Sequence, residues 1–200
     1  MLTKDQLPQQ IVTARTIIRR AAPEDLPRIA AWPDYAQPYA DFSMTRAPRS
    51  EDGRYWWERV DAPDRCHYSV VLPAGGKIVG VHAFVRIDWP NAAVGNMGIR
   101  IHPDLCDKGY GTETLRPLLA AVLESGIQSI RLDVSPVNPR AIRCYENCGM
   151  RIVDEFWREH KGEAIDPGEA KWTPLPPHLK REGDKWTVRF YWMEIRRSRD

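Results

Sequence analysis

Cysteine is scarce in this chain and unpatterned. Cys66, Cys106, Cys144 and Cys148 form no C-x-x-C pair, which argues against a thioredoxin-like dithiol and the common zinc frameworks. Cys144 and Cys148 would share a helical face at i, i+4, but the further ligands that zinc requires do not accompany them. They read as core thiols of a reducing compartment, and no metal is expected. An excess of one charge is missing too: 29 Lys and Arg stand against 27 Asp and Glu, a net charge of +2. That is far from the basic footprint of a nucleic-acid binder, so no nucleic-acid partner is expected. No run of eighteen apolar residues occurs, and no charged-then-apolar leader opens the sequence. No membrane span and no signal peptide are expected, and the cytoplasm is the default compartment.

What is present is 200 residues of ordinary apolar content, enough for one globular domain with a real core. Residues 1–14 read as an N-terminal arm and 15–200 as a single domain. A short strand is expected at 16–20 and a helix at about 24–31. The aromatics Trp32, Tyr35, Tyr39 and Phe42 then fall in a proline-broken loop, which either plugs the core edge or lines a cleft. Ser50 caps a helix running to about residue 60. Two alternating runs joined by Pro73-Ala74-Gly75-Gly76 read as a hairpin, with Val79, Val81, Ala83, Val85 and Ile87 on one face of the second strand.

The most informative stretch is "CDKGYGTETL", residues 106–115. Before it, Met97, Ile99 and Ile101 alternate with Asn96, Gly98, Arg100 and His102, the period of a strand. After it, Leu115, Leu118, Leu119, Val122 and Leu123 recur at helical spacing. Gly109 and Gly111 therefore open a helix after a strand. Helix N-termini carry unpaired N–H groups and the positive end of the macrodipole, so a loop without Cβ atoms there can cradle a phosphate or merely turn tightly. Pro117 predicts a kink or a late start for this helix. Another strand follows at 129–134, then Asn138-Pro139 as N-cap and N1 of a helix that stops at Gly149. Two last strands are expected at about 151–159 and 186–195.

The order of these elements resembles the GCN5-related N-acetyltransferase (GNAT) superfamily. Gly109 and Gly111 match the family's Arg/Gln-x-x-Gly-x-Gly/Ala loop, with Cys106 standing where Arg or Gln is usual. Asn138, Ala141, Tyr145 and Gly149-Met150 are similar to its second motif. The resemblance implies an α/β fold with a GNAT-type mixed, mostly antiparallel twisted sheet flanked by helices and splayed central strands. It implies acetyl-CoA as acetyl donor, its pyrophosphate on the backbone of Asp107, Lys108, Gly109, Tyr110, Gly111 and Thr112. The pantetheine would pair with the backbone of Ile99 and Ile101, with the Asn138 side chain helping to hold it.

The implied reaction is direct attack of a primary amine on the thioester, the amine belonging to a small molecule or a peptide. Tyr145 is the candidate general acid for the leaving thiolate, by its place in the motif and by a phenol pKa of about 10 against about 8.5 for a thiol. For the base, His82, Asp88, Asp133, Glu155 and a water chain all stay open. The insertion at about 160–185, with Pro167, Pro174, Pro176 and Pro177, reads either as a lid over the acceptor, with Trp172, Leu175 and Leu179 as its apolar contacts, or as a solvated or homodimer contact. A catalytically silent acyl-CoA-binding or interaction module is the alternative, against which Tyr145 argues. A nucleotide-binding loop is disfavoured because no Lys-Ser/Thr follows the glycines.

Overall fold

Strand-period alternation dominates the chain, and the computed structural model, which describes residues 2–36, 58–160 and 176–198, gathers it into one nine-stranded sheet. The elements in order are β1 (Gln10–Val12), β2 (Ile17–Arg20), α1 (Asp25–Ala30), β3 (Cys66–Val71), β4 (Ile78–Asp88), β5 (Ala93–Ile101), α2 (Tyr110–Glu124), β6 (Ser129–Val134), α3 (Pro139–Asn147), β7 (Arg151–Glu159), β8 (Leu179–Glu182) and β9 (Lys185–Arg196). The sheet order is β1-β2-β3-β4-β5-β6-β9-β7, with β8 beside β9. All pairings are antiparallel except β5–β6. This is the mixed, mostly antiparallel sheet expected from the sequence.

The expected Pro73–Gly76 turn is there: Gly75 and Gly76 both take positive φ, and Leu72 N–H closes on the Lys77 carbonyl at 2.9 Å. On β4 the expected face is buried at its ends, Val79 and Ile87, while Val81, Ala83 and Val85 between them are half-buried and the alternate face there, His82 and Phe84, is the buried one. The buried face lies under α2, whose Leu115, Leu118, Leu119 and Val122 fill the main core with Tyr68, Ile130, Leu132, Met150 and Met193. Pro117 sits inside α2, which runs without a break for 15 residues from Tyr110. The expected late start does not occur.

Two strands lie outside the sequence expectations. Residues 10–12, read as part of an arm, add β1 to the edge of the sheet. β8 was missed because "LKRE" has no apolar alternation. It is paired to β9 through a two-residue turn at Gly183 and Asp184, and Leu179 packs there against Val188. Tyr39, Phe42, most of the helix expected from Ser50, Trp172 and Leu175 lie outside the described residues.

α1 is anchored electrostatically. The Asp25 carboxylate is 1 % exposed and accepts both Arg19 Nη groups at 2.7 and 2.8 Å, Ser69 Oγ at 2.7 Å and the Ala22 N–H at 3.0 Å. Burial alone would raise its pKa, but the Arg19, Ser69 and Ala22 hydrogen bonds outweigh it and hold the group below the usual carboxylate value. A depressed native pKa contributes stability that is present above the unfolded value and is lost as pH falls through the native one. Asp25→Ala should therefore cost roughly 2–3 kcal/mol near neutrality, at or below the bottom of the range for a fully buried pair because Arg19 keeps some water contact. Thermal melts should show that difference shrinking as pH drops below about 4.

Candidate active site

β5 and β6 are held together only at Ala93↔Ser129 and Val94↔Ile130. Past that point β5 stays zipped to β4 and β6 to β9, so the two central strands part. A side-chain bridge marks the divergence: Asn96 Nδ2 donates to Asp133 Oδ1 at 3.0 Å, and Arg158 Nη2 from β7 donates to Asp133 Oδ2 at 2.8 Å. The gap is a cavity of about 530 Å³ whose lining includes Ile99, Ile101, Gly111, Asn138, Tyr145 and Phe190.

One wall is an unfinished sheet edge. His102 N–H donates to the Val79 carbonyl at 2.8 Å, and antiparallel pairing alternates residue by residue. Ile99 and Ile101 therefore turn their N–H and C=O groups toward the gap. The Ile101 carbonyl takes the Tyr35 hydroxyl at 2.5 Å, which brings the aromatic loop after α1 over this edge.

The far end is the glycine loop. Gly109, at φ +82°, is the N-cap of α2, and the first intrahelical bond runs from Glu113 N–H to the Gly109 carbonyl. The N–H groups of Tyr110, Gly111 and Thr112 are thus the unpaired ones of the first turn. A Cβ on Gly111 would lie 3.0 Å from Cys144 Sγ, tighter than ordinary contact, so loop and α3 approach there as closely as glycine allows without a shift of Cys144. Two arginines brace the loop. Arg15 Nε donates to Glu113 Oε2 at 2.6 Å, its Nη2 reaches the Lys108 carbonyl at 3.2 Å, and its guanidinium lies 4.1 Å from the Tyr110 ring centroid. Arg140 from α3 pairs with Asp107 at 3.3 Å, where Asp107 itself takes positive φ. Cys106 lines the cavity, and burial pushes its thiol pKa up.

α3 supplies the third wall. Asn138 Oδ1 caps it by accepting the Ala141 N–H at 3.0 Å, which leaves the amide's donors for another partner. Tyr145 projects into the cavity while only 6 % exposed. Burial, reinforced by Cys144, Asp133 and Cys148, pushes its phenol pKa above the ordinary value. Cys144 packs between α3 and the loop, with hydrogen bonds from Cys148 and Thr112 lowering its thiol pKa against burial. Cys148 is buried.

The base candidates separate cleanly. His82 is fully buried under α2, its Nε2 2.9 Å from Thr114 Oγ1, whose hydroxyl donates to the Tyr110 carbonyl at 2.8 Å. Burial takes its pKa down to about 3, so it is a neutral strut for the loop helix. Asp88 sits on a surface turn holding Asn91, and exposed Glu155 lies 3.8 Å from Arg189. Asp133 alone of the four lines the cavity.

Sequence reading did not single out Arg15, Asn96, Arg100, Arg140, Arg143 or Arg158 as site residues. Asn96 and Arg100 stood out only as the polar members of an alternating strand. The others are distant in sequence and converge through the fold.

The sheet is thus split by a cavity with a glycine-cradled helix N-terminus at one end and a buried phenol in its lining. The chain belongs to the acetyltransferase (GNAT) domain family, whose model matches residues 15–151. It is similar to the solved spermidine N-acetyltransferase of Vibrio cholerae in complex with CoA and spermine, at 16% identity and a TM-score of 0.69 over 92% of this chain and 96% of that one. It is also similar to a GNAT-family acetyltransferase of Bacillus anthracis, at 18% identity and a TM-score of 0.64 over 94% and 98%. At these identities the likeness establishes the fold.

Proposed function

We propose that the protein moves an acetyl group from acetyl-CoA to a primary amine by direct attack on the thioester. The observation that carries this reading is a single cavity that joins Gly111 and Thr112 of the first turn of α2, the edge of β5, Tyr145 and Asp133. The residues fit the donor: the first turn of α2 would take the pyrophosphate, aided by Lys108, Arg140 and Arg143, which offset the missing cation at Cys106. Ile99 and the Ile101 N–H would pair with the pantetheine arm, and the Asn138 amide would donate to it. Bound there, acetyl-CoA supplies an acyl group activated as a thioester.

Asp133 is positioned to hold the amine and draw off its proton. Asn96 and Arg158 each occupy one of its oxygens with one bond, and each oxygen keeps further acceptor capacity. Tyr145 keeps its proton because its pKa is raised, and donates it to the leaving sulfur. No described helix is long and apolar enough to cross a membrane, and we place the enzyme in the cytoplasm. A panel of amines with acetyl-CoA, followed by free-thiol release, tests the reading; no release above hydrolysis with any amine overturns it.

The double role given to Asn138 is separable. Asn138→Ala should lose about 1 kcal/mol of stability with the cap and also weaken CoA binding. Asn138→Asp keeps the cap oxygen, so it should melt close to wild type while still binding CoA less well. Full recovery of CoA affinity in the Asp variant would make the residue a cap only.

A further inference from the structure

Resting on the acetyltransferase reading, the geometry points to an acceptor that is an amino-acid-like zwitterion, its amine and a carboxylate a few bonds apart, rather than a polycation. Among the described residues the cavity is lined by Arg100, Arg140, Arg143 and Arg158 but by only two acids. Both acids are already in ion pairs, Asp107 with Arg140 at 3.3 Å and Asp133 with Arg158 at 2.8 Å. Arg140 and Arg143 lie on α3 beside the glycine loop, where the donor's phosphates account for them. Arg100 and Arg158 are left over.

These two belong to the other face of the sheet. On β5, Ile99 and Ile101 point toward Gly111 and α2, so the alternation puts Asn96 and Arg100 on the opposite side. Arg100 lies there over the Trp32 ring at 5.5 Å and beside the Tyr35 hydroxyl, and its Nε is buried without a hydrogen-bond partner among the described residues. Asn96 reaches Asp133 on that side, and Arg158 completes the group from β7. The floor beneath is aromatic: the Arg158 guanidinium stands 4.2 Å from the Phe190 centroid and 5.2 Å from Phe156. Phe156 stacks in turn on Phe190 at 5.7 Å and on Trp192 at 5.0 Å.

Among the described residues the acceptor side therefore holds one carboxylate, Asp133, paired with the Arg158 guanidinium, with a second guanidinium, Arg100, on the same face of the sheet. A polyamine brings several positive charges to a lining that, among the described residues, carries a cationic excess, and like charges at short range discriminate against it. A zwitterion matches the Asp133–Arg158 pair point for point: its ammonium on Asp133, beside Tyr145 and the thioester, and its carboxylate on the Arg158 fork, the geometry in which arginine holds carboxylates best. Its side chain would lie on the aromatic floor or toward Arg100.

The test compares matched acceptors by thiol release: phenylalanine with phenethylamine, leucine with 3-methylbutylamine, lysine with 1,5-diaminopentane, and spermidine. At least one amino acid should exceed its decarboxylated partner, and spermidine, on the order of tenfold or more in kcat/KM. Arg158→Gln should lower that ratio on the order of tenfold, through the amino acid's KM, with Arg158→Lys recovering part of it. Calorimetric titration of the protein with the preferred amino acid, without acetyl-CoA, should show binding that Arg158→Gln weakens. Decarboxylated amines or spermidine reacting faster throughout, or a ratio unmoved in Arg158→Gln, would overturn the inference while leaving the acetyltransferase reading intact. Absence of release with every amine would overturn both.

Discussion

Replacing Gly111 with valine should abolish the thermal shift that acetyl-CoA gives the wild-type protein. At a hundredfold excess over Kd, a ligand specific for the native state adds about 2.7 kcal/mol, which for a chain of this size is a rise of roughly 5–10 °C in Tm. Three contacts decide the variant. The new Cβ would meet Cys144 Sγ at 3.0 Å, Ile99 Cδ1 at 3.7 Å and Ile101 Cγ1 at 4.0 Å, so it stands between the loop amides and the β5 edge, where the donor would pass. Overpacking alone could cost about 1–3 kcal/mol, so the unliganded melt must be measured beside the liganded one. Gly111→Ala with Cys144→Ala relieves the closest contact while keeping a Cβ in the cradle. That double variant should regain most of the unliganded Tm and still show a reduced shift. A folded Gly111→Val protein with an undiminished shift would place the phosphate site elsewhere.

The glycine loop was legible because its information is local. Strand alternation up to Ile101, two glycines and helical spacing from Leu115 fall within about two dozen residues, and backbone sterics tie each to a conformation. The same holds for Asn138-Pro139 and Gly149, which open and close α3, with Gly149 taking φ +90°. The splay is a different kind of fact. β6 lies between β5 and β9, pairing with β5 over two residues on one edge and with β9 along its whole length on the other, and no local pattern encodes that divergence. Asn96, Asp133 and Arg158 lie on three strands and have meaning only once those strands are neighbours.

Two of the base candidates that the sequence leaves open differ in where the fold puts them. Histidine has an unperturbed pKa suited to a general base, yet the alternation of β4 sends His82 into the core, where burial takes its pKa down to about 3 and it braces Thr114. Asp133 looked like one acid among many, and the divergence of the strands set it at the cavity. Arg15 shows the opposite effect. The N-terminal residues expected to be an arm deliver it to the first turn of α2, where it neutralises Glu113, a carboxylate that would otherwise repel a phosphate from the same helix end.

Tyr145→Phe should lower kcat by roughly ten- to a thousandfold and leave acetyl-CoA affinity nearly unchanged. The range is that of losing a positioned general acid, and the split follows because the hydroxyl acts on the leaving sulfur and not on the bound ground state. Packing should survive the change, since the ring stays in the core cluster and only an oxygen is removed. The pH dependence gives a second readout with a definite sign. A proton donor works below its pKa, and burial with neighbouring Cys144, Asp133 and Cys148 raises the Tyr145 value above that of an ordinary phenol. Its high-pH limb should therefore lie above about 10 in the wild-type enzyme, and no loss of kcat between pH 8 and 9 should trace to it. In the Phe variant that limb should disappear while the low-pH limb, set by deprotonation on the amine side, stays where it was. Single-turnover measurements make chemistry the step observed; an unchanged rate there would take the acid role away from Tyr145 and leave it as a wall of the cavity.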